Sequence, residues 1–472
     1  MKHTGSQSVR RRATLAVGGI CVATLAITSC SGTAAESEPT PAASADMQTT
    51  VKEAFDYGFP LFELSRFRWN ALDTPGTRTS TTLNDFAHSR ALAGPDDTWA
   101  NGPSQDVLYS TAWLDLAHGP VYLDTPDTGD RFYVLTLIDF YSNTFFYAGE
   151  RTTGTGQQKY FVVGPDWQGQ APPDATVVKS PTNDVYVNLR VQTTGPADQD
   201  AANAVQDGFR FTPTQPGTEP VERIKPVVAD LQSYLAVVNQ TMALDPPPAD
   251  ENHLVDKFRE VGICGADCSW DAISDDAKNA WAEAFSELGD PRHYVKRFEN
   301  EGRAVGWIDY SPPGVLLGTT QQKDFDMRAY ALSAGGGMLG MSREEANYWL
   351  ASTDRDINPL IGTKNYTLQL PPGGIPSKSF WSISLYEVRE NGQFPTPNPI
   401  NRYVISSDTE GLTVNPDGSI DIVIQANAPA GTESNWLPSP SDGKPFIVFA
   451  RSYGPGPEVL AGDFVMPPVA PA

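Results

Sequence analysis

Basic residues are scarce in this 472-residue chain, where 34 Lys and Arg stand against 57 Asp and Glu for a formal net charge of −23. No basic stretch follows Arg12, so nucleic acid and anionic headgroups would be repelled and are excluded as partners. Long apolar runs are also missing: Ala13 to Ile27 is too short to span a bilayer comfortably, and no later segment is apolar enough. Histidine is sparse, with His88, His118, His253 and His293 scattered singly beyond the N-terminal region. There is no Gly-x-Ser-x-Gly elbow, His-Glu-x-x-His pair, Walker lysine loop or EF-hand spacing, which argues against an α/β-hydrolase esterase, a zincin, a P-loop enzyme and a calcium sensor. No metal and no cofactor is expected.

Three partial motifs remain. Gly335, Gly337 and Gly340 spell Gly-x-Gly-x-x-Gly, but the pattern follows an expected helix, Ala329 to Ala334, and reads as a helix break. Ser441 and Lys444 match Ser-x-x-Lys in a proline-flanked loop, where the lysine is not held one helical turn from the serine. Asp124, Asp127 and Asp130 surround Pro126 and Gly129, the chemistry of a turn.

The first thirty residues address the chain. Lys2 and Arg10-Arg11-Arg12 lead into the apolar stretch, which reads as a signal peptide over 1–29. Leu25-Ala26-Ile27-Thr28-Ser29-Cys30 then resembles the lipobox of bacterial lipoproteins, which implies lipid attachment at Cys30 and a place on the extracytoplasmic face of the cell membrane. The arginine run leaves both the general and the twin-arginine export routes open. Small residues and prolines from Ser31 to Ala45 cannot bury enough surface to fold, so 30–48 is expected to be a flexible tether. Removing 1–29 takes away Lys2 and three arginines and no acid, so the charge goes from −23 to −27.

Cysteine is rarer still, at four residues. Cys21 leaves with the signal and Cys30 takes the lipid, so Cys264 and Cys268 should pair in an oxidising compartment. Zinc would need two further ligands, and only His253 is near in sequence.

Periodicity divides the remainder. An amphipathic start after Val51, limited by Pro60, leads into strands from Leu108 to Arg190; Arg131 to Tyr141 alternates with both faces apolar, as in a central strand. Ile224 to Val238 and Ile273 to Leu288 follow a helical period, and further helices are expected at 327–334 and 343–350. Strands and turns return after Asn365, with Asn415-Pro416-Asp417-Gly418 as a hairpin turn. The reading is mainly β: an N-terminal sandwich over 49–215, a helical connector over 216–325 and a C-terminal sandwich or jelly roll over 326–472.

Further motifs carry a resemblance. Asp106-Val107-Leu108-Tyr109-Ser110, Gly149-Glu150-Arg151 and Gly164-Pro165-Asp166-Trp167 stand in the first half. Phe380-Trp381-Ser382-Ile383-Ser384-Leu385-Tyr386, Asn435-Trp436-Leu437-Pro438 and Arg451-Ser452-Tyr453-Gly454-Pro455 stand in the second. In this order they resemble bacterial proteins that pair two domains of unknown function, families 1254 and 1214. The resemblance implies an immunoglobulin-like sandwich followed by a jelly-roll sandwich, and no activity. The chain departs from the family pattern at Ser104-Gln105-Asp106-Val107 and at Tyr386-Glu387.

Two functions fit. The first is an envelope protein that binds a glycan or small-molecule ligand or serves a structural role, alone or as an oligomer, with Trp99, Trp167 and Trp436 as candidate stacking residues. The second is a hydrolase of glycan or ester bonds, with Asp106 and Asp139 as acid and base and Tyr109 beside them. A glycosidase would hold those carboxyls about 5–10 Å apart. Asp115 and Glu387 also sit on otherwise apolar strands, with Arg151, Arg402 and Arg451 as candidate partners.

Overall fold

The structure is a computed structural model and describes residues 43–98, 101–217, 221–290, 293, 306–309, 341–390 and 392–472. The signal peptide, Cys30, Trp99, the expected helix at 327–334 and the glycine motif at 335–340 lie outside these residues. No described helix is long and apolar enough to cross a membrane.

The chain opens on a long helix, α1 (Ala45–Leu72), whose first turn is capped by Ser44 accepting from the Met47 N–H. Two expectations are corrected here: 45–48 is helix and not tether, and Pro60 does not end the helix. Pro60 removes the N–H that would meet the Asp56 carbonyl, and the Tyr234 hydroxyl adds a tertiary bond in the same turn by donating to the adjacent Phe55 carbonyl. Burial on two sides holds the rest. Val51, Phe55, Leu61 and Phe62 pack against α2 (Leu231–Leu244) and α3 (Asp275–Leu288).

The first sandwich stacks two sheets. One has the order β1 (Ala87–His88), β2 (Val107–Asp115), β8 (Asp184–Gln192), β4 (Tyr133–Asp139), β5 (Thr144–Gly149). The other runs β7 (Thr176–Lys179), β6 (Gln158–Val163), β3 (Val121–Thr125), β9 (Arg210–Pro213). Between them lies a core that includes Leu108, Leu123, Leu135, Val162, Val187 and Leu189. The expected central strand is β4, buried along its whole length.

The second sandwich repeats the plan. Its larger sheet is β10 (Trp307–Asp309), β11 (Ala346–Ala351), β18 (Phe446–Pro455), β13 (Ser377–Arg389), β14 (Gly392–Pro395), with β15 (Val404–Ser406) also on β13. The smaller is β17 (Trp436–Pro438), β16 (Ile420–Gln425), β12 (Tyr366–Leu370), β19 (Ala470–Pro471). Ile383, Leu368, Ile422 and Val448 are among the residues that fill the space between.

Two expected helices come out otherwise. The 343–350 segment is largely strand, because β11 pairs with β18 from Ala346 to Ala351. The helix expected from Ile224 begins only at Leu231, where Asp230 caps it by accepting from the Ser233 N–H at 2.8 Å. Pro226 interrupts the earlier turn, and Val221, Ile224, Val227 and Val228 stay exposed. Nor do the helices simply connect. With α1 they form a layer on the outer face of the five-stranded sheet, packed on Trp113, Ile138, Phe140, Tyr141 and Tyr186.

Candidate functional site

Asp106 sits just before β2 and is buried. Its Oδ2 accepts from Ser382 Oγ at 2.7 Å and Ser104 Oγ at 3.2 Å, while Oδ1 has no partner among the described residues. Tyr109 is close by, its hydroxyl accepting from the Ser104 N–H at 3.0 Å. The structure therefore brings Asp106 and Tyr109 together, at the junction of the two sandwiches.

Asp139 is elsewhere. It ends β4 in a tight turn, with Oδ1 accepting from the N–H groups of Tyr141 (2.9 Å) and Asn143 (2.8 Å) and Oδ2 from the Asn143 amide (3.0 Å). The register on β8 fixes the separation: Asp139 lies opposite Val185, and the Asp106 carbonyl accepts from Thr193 N–H. Eight residues of strand span roughly 26 Å at ~3.3 Å per residue. A pair that shares a glycosidic bond needs about 5–10 Å, so these two acids do not form one.

The other candidate acids are tied into packing. Asp115 accepts from Ala117 N–H and contacts His118 Nδ1 at 2.8 Å. Glu387 holds Arg389, Thr396 and Lys444, which also occupies the lysine of the Ser-x-x-Lys match. Arg151 pairs with Glu345 across the two sandwiches, and Arg402 donates to the carbonyls of Glu433, Ser434 and Trp436. The histidine-serine contact between His88 Nδ1 and Ser110 Oγ, 2.8 Å, is no nucleophile either. Ser110 is fully buried and accepts from Gln206, while burial and neighbouring Arg90 hold the His88 imidazole down at about 4.

The stacking residues fare similarly. Trp436 is core, its Nε1 donating to the Gln425 carbonyl. Trp167 is half-buried, edge-on to Phe161 with ring centroids 5.7 Å apart, and Gly169 lies against its ring so closely that a Cβ there would stand 2.8 Å from it. The Cys264–Cys268 disulfide is formed. No cluster of His, Cys, Asp or Glu among the described residues is arranged to hold a metal.

What the sequence reading missed is the outer face of β8. Alternation places Val185, Val187, Leu189 and Val191 in the first sandwich core and Asp184, Tyr186, Asn188, Arg190 and Gln192 on the opposite face. That alternation was the available signal. Three rows cross the sheet there: Trp113–Tyr186–Ile138, Thr111–Asn188–Thr136 and Tyr109–Arg190–Val134. The first belongs to the helical layer. The third meets the second sandwich, where Tyr109 and Val134 join Phe132, Phe380 and Tyr453 in one apolar cluster. In that facing sheet the row is Tyr348–Arg451–Ser382.

Two guanidiniums meet at this junction. Arg451, 3% exposed, donates to Ser384 Oγ, Tyr386 Oη and the Gly102 carbonyl. Arg190, 4% exposed, donates to Tyr348 Oη at 2.8 Å and lies 5.5 Å from the centre of the Tyr109 ring. Neither makes a salt bridge among the described residues, and Asp106 is a buried acid whose charge acts on Arg451. Burial pushes the Tyr453 phenol well above its ordinary range, with Asp106 adding to the effect, so this ring is neutral.

A second buried charge group joins the helices to β8. Arg68 and Arg223 both reach Asp184, and Asp245 accepts from the N–H groups of Asn183 and Asp184 at 2.9 Å. Burial raises the Asp245 carboxyl to about 7 against the opposing pull of Arg223.

Comparison with known proteins agrees with this architecture. The family model described as "Protein of unknown function (DUF1254)" matches residues 83–213, and that described as "Protein of unknown function (DUF1214)" matches 345–457. No curated protein matches the sequence. Among solved structures, the VPA0106 protein from Vibrio parahaemolyticus is 22% identical with a TM-score of 0.69, over 90% of this chain and 100% of that one. An uncharacterized protein from Burkholderia cenocepacia is 11% identical with a TM-score of 0.44, over 91% of this chain and 96% of that one. The first likeness shows a shared fold. The chain thus carries two domains of unknown function in tandem, DUF1254 in its first sandwich and DUF1214 in its second.

Proposed function

We propose that this protein is held at the extracytoplasmic face of a bacterial membrane by a lipid on Cys30, and that it works there by binding a ligand and not by turnover. The observation that carries the second half is the placement of Asp106 and Asp139 at opposite ends of one sheet, each engaged by local hydrogen bonds. That placement leaves the paired-carboxylate hydrolase without its pair. The anchor rests on the lipobox-like run ending at Cys30, and a formed Cys264–Cys268 disulfide suits an oxidising compartment.

Metabolic labelling with a palmitate analogue tests the anchor: label on the wild type and none on Cys30→Ala is expected, and label that survives the substitution refutes it. Screening glycan and ester substrate classes tests the mode of action. Turnover that Asp106→Asn or Asp139→Asn abolishes would overturn the binding reading.

A further inference from the structure

Between the helical layer and the second sandwich, the outer face of β8 changes character. The rows on either side carry the large rings and aliphatic groups of two apolar clusters, whereas the row between them has Thr111–Asn188–Thr136 at its centre, flanked by Ala87 and Tyr147. Thr111, at one end of these three, is half-buried, and Asn188 in the centre is 2% exposed. A polar strip at this depth requires partners, because a buried donor without an acceptor loses the hydrogen bond it had in water.

Thr136 has one, donating to the Asn188 carbonyl at 3.1 Å. The side chains next to it are poorly supplied among the described residues: Arg190 Nε has no acceptor, and Asn188 Nδ2, two residues away on the same strand face, has only the Tyr186 phenol beside it. Tyr186, on the other side of Asn188, has its phenol pushed up to about 12 by burial and so offers no negative charge. Charge balance points the same way. Arg190 is always cationic and makes no ion pair among the described residues; the nearby Asp408 hydrogen-bonds Gln192 at the exposed rim. Asp106, the buried acid of the junction, takes hydrogen bonds from Ser104 and Ser382, and its charge acts on Arg451.

We infer that the Thr111–Asn188–Thr136 strip with Arg190 is the binding site for a small oxyanion, a carboxylate- or phosphate-bearing molecule whose oxygens accept from Arg190 and Asn188. This rests on the binding function proposed above and gives it a location and a ligand class. Guanidinium is the side chain best matched to carboxylate and phosphate oxygens, and a neutral sugar hydroxyl would leave its charge uncompensated.

The test uses the purified protein at fixed ionic strength, titrated with inorganic phosphate, succinate or methyl glucoside against a chloride reference, with thermal midpoint and titration calorimetry as readouts. Phosphate or succinate is expected to raise the midpoint saturably, and methyl glucoside to leave it unchanged. Asn188→Asp is nearly isosteric and supplies Arg190 with an internal counter-ion; it should keep the midpoint at or above that of the wild type and weaken the anion at least tenfold. Thr111→Asp, at the half-buried end of the strip, should weaken the anion to a similar degree if Asn188→Asp does not fold. Wild type that responds to neither anion, or an Asn188→Asp protein that responds as wild type does, overturns the inference. Methyl glucoside binding that is indifferent to both variants overturns the oxyanion class while the binding function stands, whereas substrate turnover overturns that function itself.

Discussion

Arg190 donates to the Tyr348 hydroxyl over 2.8 Å, and this bond links the middle strand of the first sandwich to β11 of the second. Tyr348 in turn stands opposite Arg451 in the β11–β18 register, so the two guanidiniums share a cluster of phenols, with the Asp106 carboxylate acting on Arg451. The sandwiches are welded by this cluster, by the Arg151–Glu345 pair and by the Tyr386 hydroxyl donating to the Pro103 carbonyl at 2.6 Å.

Replacing Tyr348 with Phe should cost about 1.5–3 kcal/mol, the worth of a hydrogen bond to a charged group, because the buried Arg190 loses its acceptor. Urea unfolding checks the size. The transition should move to lower urea without splitting in two.

Asp106→Ala is expected to act on stability and not on any rate. Ser104 and Ser382 lose a shared acceptor, and Arg451 loses a neighbouring negative charge, a loss of about 3–5 kcal/mol typical of breaking a buried charge cluster. Ser382→Ala removes one bond of the set and should cost about 1 kcal/mol. Comparing the two by chemical denaturation separates charge from hydrogen bonding; equal losses would contradict this account.

Gly58 sets the approach of α1 to α2. A Cβ at this position would stand 2.5 Å from Tyr234 Oη and 3.2 Å from Val238 Cγ1, so Gly58→Ala should destabilise by about 1–3 kcal/mol despite the better helix propensity of alanine. Adding Tyr234→Phe removes the obstructing oxygen together with its bond to the Phe55 carbonyl. The double variant should therefore lose less than the sum of the singles, which thermal melts can measure.

Asp245 makes stability depend on pH in a stated direction. Its folded value, raised by burial to about 7, exceeds the ordinary 3.8, so the folded state binds this proton more tightly than the unfolded one. The resulting stabilisation is full below about 4 and is lost as pH rises through about 7. Asp245→Asn keeps an oxygen for the Asn183 and Asp184 N–H groups and no longer titrates. Its urea midpoint should fall less than that of the wild type between pH 4 and 8; parallel curves would contradict the assignment.

Local pattern was enough to place β4, β12, β13, β16 and β18, the helix from Asp275 to Leu288, and the pairing of Cys264 with Cys268. Each depends on a period of two or 3.6 residues, or on a short loop closing on itself. Pattern failed where distant chain intervened. Pro60 reads as a stop, but Tyr234, 174 positions on, braces the turn before it. Ile224 and Val228 keep helical spacing, yet Pro226 and the Asp230 cap start the helix later. Residues 346–351 become strand because β18 lies beside them.

The site divides along the same line. Sequence alone put Asp106 near Tyr109, since three residues at a strand's start keep them close, whereas the alternation along β8 that sets Tyr186, Asn188 and Arg190 on one face was present and went unread. Only tertiary structure decided that Asp139 is roughly 26 Å from Asp106, because that distance is a matter of antiparallel register on β8, which no local period encodes. It alone decided, too, that the face carrying Arg190 is covered by a second sandwich bringing another guanidinium and, among the described residues, no carboxylate paired with it, since burial and charge balance depend on what the chain packs there from more than 150 residues away.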